Sequence, residues 1–482
     1  MKKMAEKKKV EGSAFLKAVK PSLKELLGIL LDRYEYASIL AVDSAAKIYS
    51  VTASGISLGD FGMLCNRGFV IKVFENGEYA EYSFNRLDAD IKAQAEKIIA
   101  EIEALKKAVP DSIEKPKLRM LEDEPMEFVK STEYEINPFE LGAQSIVDKL
   151  TDLRKKGLDA DKRLLDCCTR MSCRKYSKLF LSRNKDMEQN VLWTDCTMSF
   201  VARKDSEVKR YFASESNLGG AEVLDKLEAV IPHSVEMTVA LLDSEPIVPG
   251  EYDCICTPEV TGMIVHEAFG HGVEMDMFAK KRALAQNYVG EYVASPLINM
   301  HDGAAVGDEV ASYFFDDDGV VAKDTLVIEN GVLKQGISDT MAAMRLGTEP
   351  TGNSRRESYR RKAYTRMTNT YFEAGHDKLE DMIASISDGF LLENATSGME
   401  DPKNWGIQCL VNMAREIKDG RLTGKVCSPI VLTGYVPDLL KSISMVSDDF
   451  ELRGSGFCGK GYKEFVKVSD GGPYIKAKIR LG

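Results

Sequence analysis

The stretch Thr257-Pro-Glu-Val-Thr-Gly-Met-Ile-Val-His-Glu-Ala-Phe-Gly-His-Gly272 is the most informative part of this sequence, and it predicts a helix with both ends marked. Thr257 suits the N-cap position. Pro258 suits the first helical position, because a proline lacks the N–H that would have no partner there. Gly272 stands where a left-handed glycine would end the helix.

Two of the chain's five histidines lie in this helix, where His266, Glu267 and His271 form the pattern His-Glu-x-x-x-His. Metallohydrolases use such a set because neutral imidazoles bind Zn²⁺ while a neighbouring carboxylate takes a proton from the metal-bound water. The alternative is a pair of unrelated histidines near a glycine-rich helix end. The residue types favour a metal site.

The spacing of the two histidines has a geometric consequence. In a regular α-helix, residues four apart are offset by roughly 40° but residues five apart by roughly 140°. His266 and His271 can therefore reach one metal only if the helix contains a π-turn or unwinds before His271. Gly270 makes either distortion easier. We expect a π-turn near Phe269–Gly270.

Composition bounds the class of protein. The chain has 482 residues, 44% of them hydrophobic and 29% charged, which is ordinary for soluble globular proteins and long enough for several domains. A net charge of −11 argues against a broad nucleic-acid-binding face. No apolar run reaches the roughly 18–20 residues needed to cross a bilayer. We expect neither nucleic acid nor membrane as a partner.

The N-terminus and the cysteines indicate the compartment. Lys2, Lys3, Lys7, Lys8 and Lys9 precede no apolar segment, so they predict a frayed tail rather than a secretory signal. Ten cysteines without such a signal favour free thiols in a reducing compartment. We therefore expect a cytoplasmic protein.

The chain predicts an α+β fold in two domains. Residues 1–236 form an N-terminal α+β domain, in which a helix followed by antiparallel strands occurs twice, at about 22–107 and 141–215, as in an internal duplication. Residues 237–482 have many short strands and turns, including a hairpin at Asn330-Gly331. They predict a β-rich, barrel-like domain that carries the histidine helix.

A catalytic zinc site normally has three protein ligands, so a third is needed. The candidates are His301, His376, the acidic cluster Asp316–Asp318 and Cys458. Cys458 lies among glycines, which would let a thiolate approach a metal closely. Asp316-Asp-Asp-Gly319 is more typical of an exposed turn. Chemistry alone ranks Cys458 first by a narrow margin.

Five stretches of the C-terminal half, taken together, resemble the TldD/PmbA family of metalloproteases, formerly described as modulators of DNA gyrase. They occur in the family's order: His266-Glu-Ala-Phe-Gly-His-Gly272, Val327-Ile-Glu-Asn-Gly-Val-Leu-Lys334, Pro350-Thr-Gly-Asn-Ser-Arg-Arg-Glu-Ser-Tyr359, Arg366-Met-Thr-Asn-Thr-Tyr371 and Cys458-Gly-Lys460. The N-terminal half is similar only in its helix-then-strands outline. The sequence departs from the common pattern in its lysine-rich start and in Gly461-Tyr462.

The resemblance implies a zinc peptidase with His266, His271 and Cys458 as ligands and Glu267 as general base. It implies unfolded or extended peptides as substrates. It also implies a homodimer or a heterodimer with a metal-free paralogue. Because this chain keeps the metal motif, it resembles the catalytic, TldD-type subunit.

Four further residues have two interpretations. Arg355, Arg356, Tyr359 and Asn369 either bind peptide carbonyls and the developing oxyanion, or form the salt bridges and turn hydrogen bonds that shape the barrel. Two other functions are also considered for the whole chain. One is a non-catalytic partner or scaffold subunit, which the complete motif disfavours. The other is a nucleic-acid-associated regulator, which the acidic balance disfavours.

Overall fold

The N-terminal half is built on long antiparallel strands. The computed structural model describes residues 7–108, 118–454, 456–462 and 464–482. In the first half of the chain the elements are β1 (Lys8–Lys9), α1 (Ala14–Arg33), β2 (Tyr36–Thr52), β3 (Gly55–Asp60), β4 (Arg67–Glu75), β5 (Glu78–Phe84), α2 (Ile91–Ala108), β6 (Met126–Ser131), β7 (Glu133–Tyr134), α3 (Ala143–Asp159), β8 (Leu164–Ser182), β9 (Lys185–Lys204), β10 (Glu207–Asn217), α4 (Val223–Ala229) and α5 (Ile231–Ala240).

The lysine-rich start of the chain differs from the expected tail. Lys2 and Lys3 lie outside the described residues. Lys8 and Lys9 form β1, which pairs with β7. The tail prediction is therefore wrong from Lys8 onward, because these residues add a short strand to the fold.

The large N-terminal sheet has the strand order β10-β9-β8-β2-β4-β5, with β3 and β6 added beside β2 and β9. Its two faces have different partners because side chains alternate along a strand. Ile39 and Ala41 of β2 belong to the apolar cluster formed with α1 and α2. Leu40 and Val42 pack instead with Phe315 from the C-terminal half. The sheet is thus sandwiched between its own helices and the rest of the chain.

The sheet is symmetric in outline about its central β2–β8 pair. One half combines α1 and α2 with β2 and β4, and the other combines α3 and α4 with β8 and β9. This arrangement is what a duplication of 22–107 and 141–215 would give. The duplication and the boundary between 1–236 and 237–482 stay predictions.

The C-terminal half has shorter elements. They are β11 (Gly250–Cys256), α6 (Pro258–Ile264), α7 (Met275–Ala279), β12 (Met300–Asp302), β13 (Thr325–Glu329), β14 (Val332–Leu333), α8 (Thr340–Leu346), β15 (Ser354–Arg355), β16 (Tyr364–Thr365), β17 (Asn369–Phe372), α9 (Leu379–Ala384), β18 (Asp388–Asp401), β19 (Gly406–Lys418), β20 (Arg421–Cys427), β21 (Ile430–Tyr435), α10 (Val436–Lys441), β22 (Met445–Arg453), β23 (Phe457–Lys460), β24 (Glu464–Lys467) and β25 (Ser469–Leu481).

Strands β11, β18, β19, β21 and β25 close a five-stranded barrel, because β11 pairs with both β18 and β25. Helix α6 follows β11 directly and joins the barrel's apolar core through Val260 and Ile264. It lies close to β25: a Cβ on Gly262 would be 2.6 Å from the backbone N of Gly471. The predicted α+β fold, with a barrel-like C-terminal part that carries this helix, is confirmed.

The acidic cluster Asp316–Asp318 lies at the contact between the two halves. Lys72 of β4 pairs with Asp318, and Lys178 of β8 pairs with Asp317. All three carboxylates are buried or nearly so. The exposed turn predicted for Asp316–Gly319 is therefore wrong, because the N-terminal sheet supplies cations that the local sequence does not reveal.

No helix among the described residues is long and apolar enough to span a bilayer.

Polar side chains form bridges between the N-terminal and C-terminal halves. In one of these, Ser216 Oγ of β10 donates to Glu309 Oε2 at 2.7 Å. Burial raises the pKa of Glu309 to about 7.

We predict that the burial of Glu309 makes the stability of the fold depend on pH. The folded protein holds the Glu309 proton more tightly than the unfolded chain, so stability falls as pH rises from about 4.5 to about 7. Glu309→Gln keeps the acceptor and removes this titration. The difference in unfolding free energy between wild type and variant should change by on the order of 3 kcal/mol from pH 4 to pH 8. Unfolding free energies are measured by denaturant titration at each pH. A difference between wild type and variant that stays constant from pH 4 to pH 8 would contradict the prediction.

Candidate metal centre

The helix that carries the histidines changes its hydrogen-bond pattern midway. Helix α6 ends at Ile264, and Val265–Gly270 form a π-helical segment followed by a 3₁₀ turn. The N–H of His271 donates to the carbonyl of His266, a span of five residues. The extra residue is absorbed there, and the two imidazole rings lie 5.1 Å apart. The predicted π-turn near Phe269–Gly270 is confirmed.

The glycines of this segment serve packing rather than unusual backbone conformation. Gly270 has an ordinary helical φ of −58°, but a Cβ there would lie 2.1 Å from Met367 Sδ. Gly272 lies within the 3₁₀ turn, and a Cβ on it would lie 2.7 Å from Glu400 Oε1. The predicted left-handed cap at Gly272 is therefore wrong. Thr257 occupies the N-cap as expected, although its side chain makes no capping hydrogen bond.

Of the four third-ligand candidates, the structure brings Cys458 to the histidines. One potential ligand atom each from His266, His271 and Cys458 lies within 4.8 Å of the others. Cys458 Sγ is 3.4 Å from His271 Nε2. His301 is instead held by two carboxylates, at 3.0 and 2.9 Å, and His376 is exposed.

The donor set fits a zinc ion. Zinc binds both imidazole nitrogens and thiolates, and its catalytic sites have three protein ligands. His266 Nδ1 is buried and has no hydrogen-bond partner among the described residues. Burial acts to raise the pKa of Cys458, but His266 and His271 outweigh it and hold that pKa well below its ordinary value. The thiolate is the form that binds metals.

Glu274 orients one of the two imidazoles. Its Oε2 lies 3.2 Å from His271 Nδ1, which leaves Nε2 facing Cys458. Burial acts to raise the pKa of Glu274, but the positive charge of Lys460 and of His271 lowers it to about 2. Sequence reasoning missed Glu274 and Lys460. Glu274 follows His271 by three residues, a helical neighbour spacing that could have pointed to it.

The donors lie on the wall of a cavity of about 860 Å³ that Glu267 also lines. Residues 395–400 of β18 form another wall. Gly398 touches the side chain of Glu267 so closely that a Cβ would lie 2.4 Å from Glu267 Cγ. The metal donors and a half-buried carboxylate thus face one space, which suits proton transfer beside a bound metal.

Residues 249–479 match the PmbA/TldA metallopeptidase C-terminal domain. Proteins named metalloproteases are similar to this chain as well. The C-terminal part of this chain is therefore similar to the TldD/PmbA family.

Three relatives illustrate the similarity. A metalloprotease of Methanothermobacter thermautotrophicus is 32% identical over 283 residues, 58% of this chain and 61% of its own. A protein named zinc metalloprotease TldD homolog, from Saccharolobus solfataricus, is 33% identical over 48% of this chain and 52% of its own. A Synechocystis metalloprotease is 27% identical over 96% of this chain and 98% of its own. The chain spans about 61% of the length of the first curated relatives it matches.

A solved structure agrees in fold along nearly the whole chain. A Thermotoga maritima protein described as a modulator of a DNA gyrase superposes with a TM-score of 0.76, at 16% identity, over 96% of this chain and 100% of its own. This likeness supports the architecture alone. The matched domain is described as a metallopeptidase domain, and the three relatives are named metalloproteases.

The four residues predicted to bind substrate make contacts within the scaffold. None of them is among the described residues that line the cavity. Arg355 donates to two backbone carbonyls, Arg356 pairs with Glu81, Tyr359 packs on Gly68 and Asn369 is fully buried. The interpretation as salt bridges and turn hydrogen bonds therefore describes them better than substrate binding.

We predict about one zinc per chain in the purified protein. His266→Ala or Cys458→Ala should each lose most of it, because two donors and water hold zinc poorly. Cys168→Ala is the matched control, since Cys168 contacts Asp166 outside the cavity. Elemental analysis after dialysis provides the measurement. Full zinc in both ligand variants would mean that the site lies elsewhere.

Proposed function

We propose that this chain is a zinc-dependent peptidase, the catalytic, TldD-type subunit of its family. The observation that carries the proposal is the convergence of His266, His271 and Cys458 within 4.8 Å, on a cavity that Glu267 also lines. The name of the Saccharolobus relative, a zinc metalloprotease, supports zinc as the metal.

The residues of the site have separate tasks. His266, His271 and Cys458 would hold the zinc, which when bound polarises the scissile carbonyl and lowers the pKa of water. Glu267 accepts a proton from the attacking water and returns it to the leaving amine. Its contact with Gly398 limits where the carboxylate can swing. That restriction keeps the base on the cavity side of the helix.

The cavity favours an extended substrate. Two extended segments, 395–400 and 456–461, line it. Extended peptides can bind along such segments through backbone hydrogen bonds that are largely indifferent to sequence. About 860 Å³ accommodates several residues of a chain but not a folded domain. We therefore propose unfolded or extended peptides as substrates.

The assembly and compartment are further parts of the proposal. The family resemblance supports a homodimer or a heterodimer with a metal-free paralogue. Ten free cysteines support a reducing, cytoplasmic setting. A scaffold role without catalysis is disfavoured by the complete donor set beside Glu267, and no observation favours a nucleic-acid partner.

We predict that Glu267→Gln keeps the fold and the metal but loses peptide hydrolysis by roughly 10²–10⁴-fold, because only proton transfer is removed. The assay uses an unfolded peptide with the partner subunit present. Glu236→Gln is the control, because Glu236 is exposed on α5 and is not among the described residues that line the cavity. Wild-type rates in Glu267→Gln, with metal content unchanged, would refute the assignment.

We also predict that the protein discriminates between unfolded and folded substrates. A peptide should be cleaved when it is unfolded and resist when it is part of a compact, thermostable domain. The same segment, assayed free and within a domain of known stability, isolates this effect. Efficient cleavage of the native domain would rule out the proposed access route.

A further inference from the structure

Strand β23 brings two functional groups to the same side of one extended segment. Cys458 and Lys460 are two residues apart, so their side chains point the same way, while Gly459 between them is exposed. Cys458 faces the histidines. Lys460 must therefore lie near them as well, although the sequence gives it no obvious task.

All the hydrogen-bonding capacity of Lys460 is used in one place. Its Nζ donates to Glu274 Oε2 at 2.9 Å, to Asp276 Oδ1 at 2.7 Å and to the carbonyl of Thr365 at 3.0 Å. An ammonium group has three donors, and all three are engaged. Lys460 is therefore held at a fixed point beside Glu274.

Glu274 connects Lys460 to His271, one of the three proposed metal ligands. The same Oε2 that accepts from Lys460 lies 3.2 Å from His271 Nδ1. Its other oxygen faces Arg366, with Nε at 4.0 Å. Arg366 also donates to the carbonyls of Cys458 and Glu464, one on each strand of the hairpin. Lys460 thus ties Glu274 to the hairpin that carries Cys458, and Arg366 lies between the two.

We propose that Lys460 is a positioning residue of the metal centre: it fixes Glu274, which holds His271 with Nε2 directed at the metal position beside Cys458. One strand then supplies one ligand directly and sets another through a carboxylate. Partners of this kind, behind the ligands, fix the tautomer and orientation of a metal-binding histidine. This inference rests on the proposed function, because it assumes that the three donors bind a metal.

The test measures zinc affinity by competition with a chromophoric chelator. Lys460→Met should weaken zinc binding by roughly 10–100-fold. Lys460→Arg, which keeps the charge, should recover most of the loss. Lys280→Met is the matched control, because Lys280 also pairs with Asp276, at 2.9 Å, without touching Glu274. Asp276 is buried but Lys280 itself is exposed, so the pair contributes little and zinc affinity should stay within about twofold of wild type.

Two readouts separate positioning from a general loss of stability. In the Co²⁺-substituted Lys460→Met protein, the thiolate charge-transfer band should persist while the ligand-field bands change, since Cys458 still binds and His271 is misplaced. Adding Lys460→Met to Glu274→Gln should cost less than the sum of the single losses, because both act through one contact.

Other outcomes overturn the inference. Wild-type zinc affinity in a folded Lys460→Met protein would overturn it. Losses of zinc affinity that add fully in the double variant with Glu274→Gln would overturn it as well. If Lys460→Met fails to fold, Lys460→Gln in the same competition assay takes its place, with the same expected loss. Wild-type protein that binds no zinc, or binds zinc without cleaving peptides, would instead refute the proposed function.

Discussion

The metal centre depends on one constraint: two histidines five residues apart must face the same point. A regular helix turns them apart by roughly 140°. The π-turn that ends at the His266–His271 hydrogen bond removes this mismatch. The local change needs support, because π-helical segments are rare and short. Met367, pressed against Gly270, and the barrel core around Phe269 provide it.

The third donor makes the centre a product of the whole C-terminal fold. Cys458 is 187 residues away from His271 in sequence, so no local structure can bring them together. The connection runs through the barrel. Strand β11 leads into α6, the hairpin of β23 and β24 leads into β25, and β11 pairs with β25. Closing the barrel therefore sets the thiolate beside the imidazoles.

What the sequence could predict follows from the same distinction between local and distant contacts. The helix, its π-turn, and the His266, Glu267 and His271 set were predictable because spacing alone constrains them. The scaffold role of Arg356 was not, since its partner Glu81 lies 275 residues away. The burial of Asp316–Asp318 depends on Lys72 and Lys178 in the same way. Cys458 could be ranked first from chemistry, and the family resemblance named it a ligand.

The N-terminal sheet gives no ligand, yet the metal centre depends on it. Lys467 of β24 forms a buried pair with Asp195 of β9. At the same end of the hairpin, where Phe457 is the cross-strand partner of Lys467, the rings of Phe61 and Phe457 lie 6.1 Å apart. A buried ion pair adds little net stability, but it is costly to misplace. These contacts therefore fix the position of the hairpin. Because the same hairpin carries Cys458, an error in docking the N-terminal sheet would displace the thiolate directly.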